Sequence, residues 1–176
     1  MASDTALMVI DMQIGNVAQA YQRDEIVGRV AGLVAEARTA ETPVIFVQHE
    51  DDWPTMRPGG PDWQFVPELT PEAAELVINK RASDAFYDTP LLHELTTRGI
   101  KHLIVTGVMT ELCIDATCRR ATSEGFRVTL VADGHTTEEA PDLSAVQIIA
   151  HHNLALRNMA QPDRPITVKP RAEITF

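Results

Sequence analysis

Lysine is nearly missing from this chain. Its 176 residues hold three, Lys80, Lys101 and Lys169, against twelve arginines. With 25 acidic residues the formal net charge is −10, and no basic run exceeds two residues. A nucleic-acid footprint needs clustered Lys and Arg, and an anionic membrane surface needs the same. Neither is expected as a partner. An acidic surface serves solubility and favours cationic small molecules. Cysteine is as scarce: Cys113 and Cys118 lie five apart, which matches neither a disulfide framework nor a CxxC pattern. Reduced thiols are expected. No apolar run exceeds five residues, too few to span a membrane. Met1-Ala2-Ser3-Asp4 has no basic or apolar leader pattern, so the expected location is the cytoplasm. There is no GxGxxG and no P-loop, so no cofactor is expected.

The length and a composition of 44% hydrophobic and 23% charged residues fit one globular domain over 1–176. Ala6–Ile10 is a buried-strand pattern that ends at Asp11. Ile26, Val30, Leu33, Val34 and Ala37 recur at helical spacing within 22–40. Val44–Val47 predicts a second strand. The stretch 50–70 holds Pro54, Pro58, Gly59, Gly60, Pro61 and Pro67, and predicts a long loop. Its Trp53, Trp63 and Phe65 argue for packing. Leu76–Asn79 predicts a strand ending at Lys80. A helix over 89–98, a strand over 102–106 broken by Gly107, and a helix over 110–124 stopped by Gly125 follow. A strand over 128–132, a helix over about 142–158 and a strand over 166–168 complete the pattern. Apolar strands alternating with helices predict an α/β fold with a six-stranded, mainly parallel sheet covered on both faces.

Ligands bind such sheets at the carboxyl ends of the strands. Three ends carry reactive groups: Asp11, Lys80, and the turn Gly107-Val108-Met109-Thr110-Glu111-Leu112-Cys113. Each has a bland reading, as a turn residue, a surface lysine or a buried thiol. Placed in the first turn of a helix, Cys113 is expected to have its pKa lowered from about 8.5 towards neutrality. Cys118, deeper in that helix, is expected to be inert packing.

Together these segments resemble the isochorismatase-like cysteine hydrolases. The matching pieces are Asp11-Met12-Gln13, Lys80 followed by Ser83-Asp84-Ala85-Phe86, and the run from Gly107 to Cys113, with Gly125 and Asp133. The resemblance implies a three-layer, Rossmann-like α/β/α domain with Asp11, Lys80 and Cys113 as a catalytic triad. It also implies a cis peptide between Val108 and Met109, and an oxyanion hole from the Met109 and Cys113 N–H groups. The implied reaction is hydrolysis of a small-molecule amide or lactam through a Cys113 thioester.

Nicotinamidases of this family bind a metal through Asp-x-His and a later His. Here the region reads His49-Glu50-Asp51-Asp52, with no further His before His93, so no metal is expected beyond weak binding near Asp51 and Asp52. Isochorismatases proper hydrolyse an ether and lack the cysteine, which makes ether hydrolysis the alternative. A non-catalytic thiol-based redox or binding protein is the other. Asp133-Gly134-His135 and His151-His152-Asn153 look like the subgroup that includes streptothricin hydrolase, which opens a lactam in a polycationic antibiotic. Gln13, His49, Trp53, Trp63, Phe86 and His135 are the expected substrate-binding residues. At least one of His151 and His152 is expected to face a neighbouring helix or a subunit partner. The family forms dimers and larger assemblies, so a homo-oligomer is expected.

Overall fold

The computed structural model describes residues 4–159, 163 and 165–176; Met1–Ser3 lie outside them. The elements are β1 (Thr5–Ile10), α1 (Ile14–Val17), α2 (Arg23–Thr39), β2 (Val44–His49), β3 (Leu76–Lys80), α3 (Leu91–Thr97), β4 (His102–Val108), a π turn (Thr110–Ile114), α4 (Asp115–Ser123), β5 (Arg127–Thr136), α5 (Ala145–Arg157) and β6 (Ile166–Lys169). Short 3₁₀ turns cover Pro67–Leu69 and Arg171–Glu173. The six strands form one sheet in the order β3-β2-β1-β4-β5-β6. Every pairing is parallel, so "mainly parallel" becomes wholly parallel.

The two sheet faces are buried separately, because side chains alternate along each strand. Ala6, Met8 and Ile10 of β1 face α3, α4 and α5 through Leu91, Leu95, Ile114, Cys118 and Leu156. Leu7 and Val9 face α2 through Ile26, Val30, Leu33 and Val34. Both faces of the central strand are therefore dry, which explains its unbroken apolar run. The order reverses between β1 and β4, and the carboxyl ends of those strands border the crevice typical of ligand sites in such sheets.

Gly107 does not break β4, which runs on to Val108. At Gly107 φ is +125°, and a Cβ there would lie 2.0 Å from the Ile10 carbonyl oxygen. Only glycine lets β4 pass the end of β1 at that separation. Asp133-Gly134 does not stop β5 either, which runs to Thr136 and carries His135 within the sheet. A Cβ on Gly134 would lie 2.9 Å from Thr106 Oγ1, and Thr106 donates to the Gly134 carbonyl. The expected helix over 110–124 is two elements, the π turn and α4. The other helix ends move inward. The expected 142–158 starts at Ala145, where Ser144 and Gln147 form a reciprocal capping box. The loop after β2 is anchored by Phe65, whose ring packs edge-on against Phe46 at 5.4 Å.

Candidate active site

Each of the three reactive residues reaches the site by a local backbone feature. Ile10 points to the α3–α5 face, so plain alternation would turn Asp11 away from it. Asp11 instead has φ +54°, the left-handed region that Asp tolerates better than most residues. That turn brings its carboxylate to Lys80. Lys80 ends β3 on the same face as Ile78, and β2 pairs His49 beside it. Cys113 lies in the π turn that leaves β4, directly after the cis peptide between Val108 and Met109.

The three side chains meet in the interior. Lys80 Nζ lies 2.7 Å from Asp11 Oδ2 and donates to Cys113 Sγ at 3.2 Å. It also donates to the Ala82 carbonyl at 3.0 Å. The side chains of Lys80 and Asp11 are 0% and 3% exposed. Asp11 Oδ1 is buried and has no hydrogen-bond partner among the described residues. Cys113 keeps 9% of its surface exposed, whereas Cys118 is fully buried.

The electrostatics reverse one expectation. Burial pushes the Cys113 thiol up to about 12, and the Asp11 carboxylate adds to this while Lys80 opposes it. A thiol pKa lowered towards neutrality does not occur here. Burial is the largest influence on the thiol, and Cys113 sits in the π turn, ahead of the first turn of α4. Burial works to lower the Lys80 pKa, but Asp11 and Cys113 outweigh it and the net shift is upward. The resting arrangement is thus an ammonium–carboxylate pair beside a neutral thiol. A free carboxylate oxygen next to a thiol can accept its proton as sulfur attacks. The ammonium can then stabilise the developing thiolate.

The expected substrate-binding residues separate into two groups. His49 is drawn to the site: its Nδ1 lies 3.3 Å from Lys80 Nζ. Gln13 is two residues from Asp11 in sequence but is fully buried as a staple. Its Nε2 donates to the His49 and Trp63 carbonyls, and its Oε1 accepts from the His49 and Asn16 nitrogens. Its amide is used in holding the loop to β1 and β2, so it does not line a pocket. Phe86 is core: it packs on Phe126 at 6.0 Å, and Phe126 precedes β5 at the opposite end of the sheet. Trp53 is 74% exposed and forms no wall. Trp63 is half-buried, its carbonyl accepts from Gln13 and Gln48, and its indole N–H is buried without a partner among the described residues.

His135 is 1% exposed, with both ring nitrogens engaged, and presents nothing free to a substrate. Thr110 Oγ1 lies 2.8 Å from Nδ1, and Nε2 lies 3.0 Å from Asn153 Oδ1. Asn153 Oδ1 can only accept, so Nε2 carries the hydrogen and the Thr110 hydroxyl donates to Nδ1. Asn153 Nδ2 donates onward to the Ala132 carbonyl. Burial holds the His135 pKa down to about 4, so the ring is neutral. This chain ties the π turn to α5. Thr110 and Asn153 therefore belong to the supporting frame, a role their positions in the sequence did not suggest. The carboxylates of the acidic loop are engaged by neighbouring groups. Asp51 accepts from the Trp53 N–H, Asp52 pairs with Arg81, and Glu50 accepts from Asn79. His151 is exposed and His152 half-buried on α5. Among the described residues no three His, Cys, Asp or Glu side chains form a metal-binding group, and no helix is long and apolar enough to cross a membrane.

Comparison with known proteins adds independent information. Residues 5–167 match the isochorismatase domain model. A streptothricin hydrolase from Streptomyces noursei is 36% identical over 146 residues, covering 79% of this chain and 53% of that protein. Ureidoacrylate amidohydrolase RutB from Variovorax paradoxus is 27% identical over 160 residues, covering 68% of this chain and 64% of that protein. The chain spans about half the length of the streptothricin hydrolases it matches. A crystal structure of an isochorismatase from Pseudomonas putida superposes with a TM-score of 0.86 at 32% identity, covering 97% of this chain and 90% of that one.

Proposed function

Because the chain belongs to the isochorismatase family, we propose that it is a cysteine hydrolase that cleaves the C–N bond of a small-molecule amide or lactam. The observation that carries this reading is Lys80 bridging the Asp11 carboxylate and Cys113 Sγ in the interior, with Asp11 close enough to the thiol to raise its pKa. Cys113 Sγ attacks the carbonyl carbon while its proton passes to Asp11. The C–N bond breaks, and Asp11 returns that proton to the leaving nitrogen. Water then attacks the thioester and gives a proton to Asp11. The C–S bond breaks, the acid departs, and sulfur recovers its proton from Asp11. Lys80 keeps its charge and offsets the negative charge on sulfur and carboxylate in turn. Backbone N–H groups of Met109 and Cys113 are the proposed donors to the oxyanion.

Relatives named for streptothricin and ureidoacrylate hydrolysis support C–N cleavage, and the streptothricin similarity favours a lactam. A homo-oligomer is also proposed. The half-exposed Val146 and Leu154 on α5 support it, at 51% and 58% exposure.

A panel of lactams, primary amides, carbamoyl compounds and an enol ether tests the reaction class, with wild type and Cys113→Ala compared. Cys113-dependent release of amine or opened lactam is expected. Turnover of the enol ether alone, unchanged in Cys113→Ala, would replace this reading with ether hydrolysis.

A further inference from the structure

The Lys80 ammonium faces more acceptors than it has hydrogens. Asp11 Oδ2 lies 2.7 Å from Nζ, the Ala82 carbonyl 3.0 Å, Cys113 Sγ 3.2 Å and His49 Nδ1 3.3 Å. An ammonium carries three N–H bonds. The two oxygens are nearest and take two of them. Sulfur and the imidazole nitrogen are left to divide the third. A neutral thiol is a weak acceptor, whereas a neutral imidazole nitrogen is a good one. With Sγ at 3.2 Å and Nδ1 at 3.3 Å, a protonated Cys113 holds only a share of that hydrogen. When it ionises, the thiolate draws the hydrogen back, because charged acceptors make the stronger bonds.

This division requires a neutral His49 with its hydrogen on Nε2, a tautomer assigned from its neighbours. Asp51 Oδ2, 4.0 Å from Nε2, favours it. The charged groups around the ring are Lys80 and Arg81 from the end of β3, Asp11 from the end of β1, and Asp51 from the loop. Burial and then Lys80 lower the His49 pKa below its ordinary value, which keeps the ring neutral at pH 7.

We propose that His49 is a positioning residue that competes with Cys113 for the third Lys80 hydrogen and so helps keep the resting cysteine a thiol. The proposal rests on reading Cys113 as the nucleophile, and adds how that nucleophile is restrained. Removing the Nδ1 acceptor leaves three acceptors for three hydrogens. Sulfur then receives a full hydrogen bond, and the thiolate becomes easier to form.

Iodoacetamide labelling of the whole folded protein tests this without a substrate. The thiolate bonds to the reagent carbon as iodide leaves, so the rate reads the thiolate fraction at each pH. Peptide mass spectrometry separates Cys113 from Cys118, whose complete burial makes it the internal control. His49→Leu is expected to label Cys113 about tenfold faster at pH 7, the effect of one hydrogen bond to a charged group. His49→Asn, with an amide oxygen at the place of Nδ1, is expected to return to the wild-type rate. Labelling of His49→Leu at or below the wild-type rate would overturn the proposal. So would His49→Asn as fast as His49→Leu, or a matching rise at Cys118, which would mean a loosened fold. Turnover in Cys113→Ala tests the hydrolase reading separately. If that variant stays active while His49→Leu accelerates labelling, the reading of Cys113 as nucleophile fails, and only the effect of His49 on the thiol stands.

Discussion

Replacing Lys80 by methionine removes one charge from the interior and almost no volume. In wild type that charge sits 2.7 Å from Asp11 Oδ2, with both side chains all but inaccessible to water. Lys80→Met leaves the buried Asp11 carboxylate without its counter-ion. Breaking a buried pair from one side costs about 3–5 kcal/mol. Urea unfolding at pH 7 is the assay, read at unchanged m-value so that the difference reports stability. Asp11→Asn in the same background removes the stranded charge, and the double variant should be more stable than Lys80→Met alone. The same variant should label Cys113 more slowly with iodoacetamide, because the one influence that lowers its thiol pKa is gone. A loss under about 1 kcal/mol would match an exposed ion pair, not a buried one. Additive single and double variants would have the same meaning. Either result would refute the dry, coupled site described above.

Three further outcomes follow from other parts of the molecule. Gly107→Ala places a Cβ against the Ile10 carbonyl at positive φ, so thermal unfolding should show a loss of more than about 3 kcal/mol; a near-neutral change would contradict the close passage of β4 and β1. His135 has its folded pKa lowered from 6.5 to about 4, so its contribution is complete above the unfolded value and is lost as pH falls from 6.5 through 4. Denaturation across that range should show roughly 3 kcal/mol of pH dependence that is missing in His135→Asn. Cys113 has its folded pKa raised from 9.0 to about 12, so its contribution is present below pH 9 and lost above it; Cys113→Ala should flatten the alkaline limb of the stability profile, and an unchanged limb would remove the buried-thiol assignment.

Much of this architecture is legible in the residues because β1 to β6 are short apolar runs separated by polar or glycine-containing segments. Asp11, Lys80 and Cys113 can be picked out because the chain has few lysines and cysteines and because strand ends are where such sheets place ligands. Glycine misleads at two positions. Gly107 and Gly134 resemble strand breakers, yet each serves close backbone approach inside a strand, a tertiary demand that local pattern does not express. Adjacency misleads at two others. Gln13 follows the Asp11 turn but its amide serves the loop, and Phe86 follows Lys80 in the chain but packs in the core against Phe126. The Cys113 thiol was legible as a position and not as a charge state, since its burial depends on elements distant in the chain. The Thr110–His135–Asn153 chain joins three such elements, and no spacing rule links them.

The central claim is that Cys113 forms a thioester with the substrate's acyl group. Rapid quenching of the wild-type enzyme during turnover of a lactam, followed by peptide mass spectrometry, tests it most directly. The mass of the opened lactam is expected on Cys113, none on Cys118, and none in Cys113→Ala. Undiminished lactam turnover by Cys113→Ala, with no adduct on the wild-type cysteine, would contradict it.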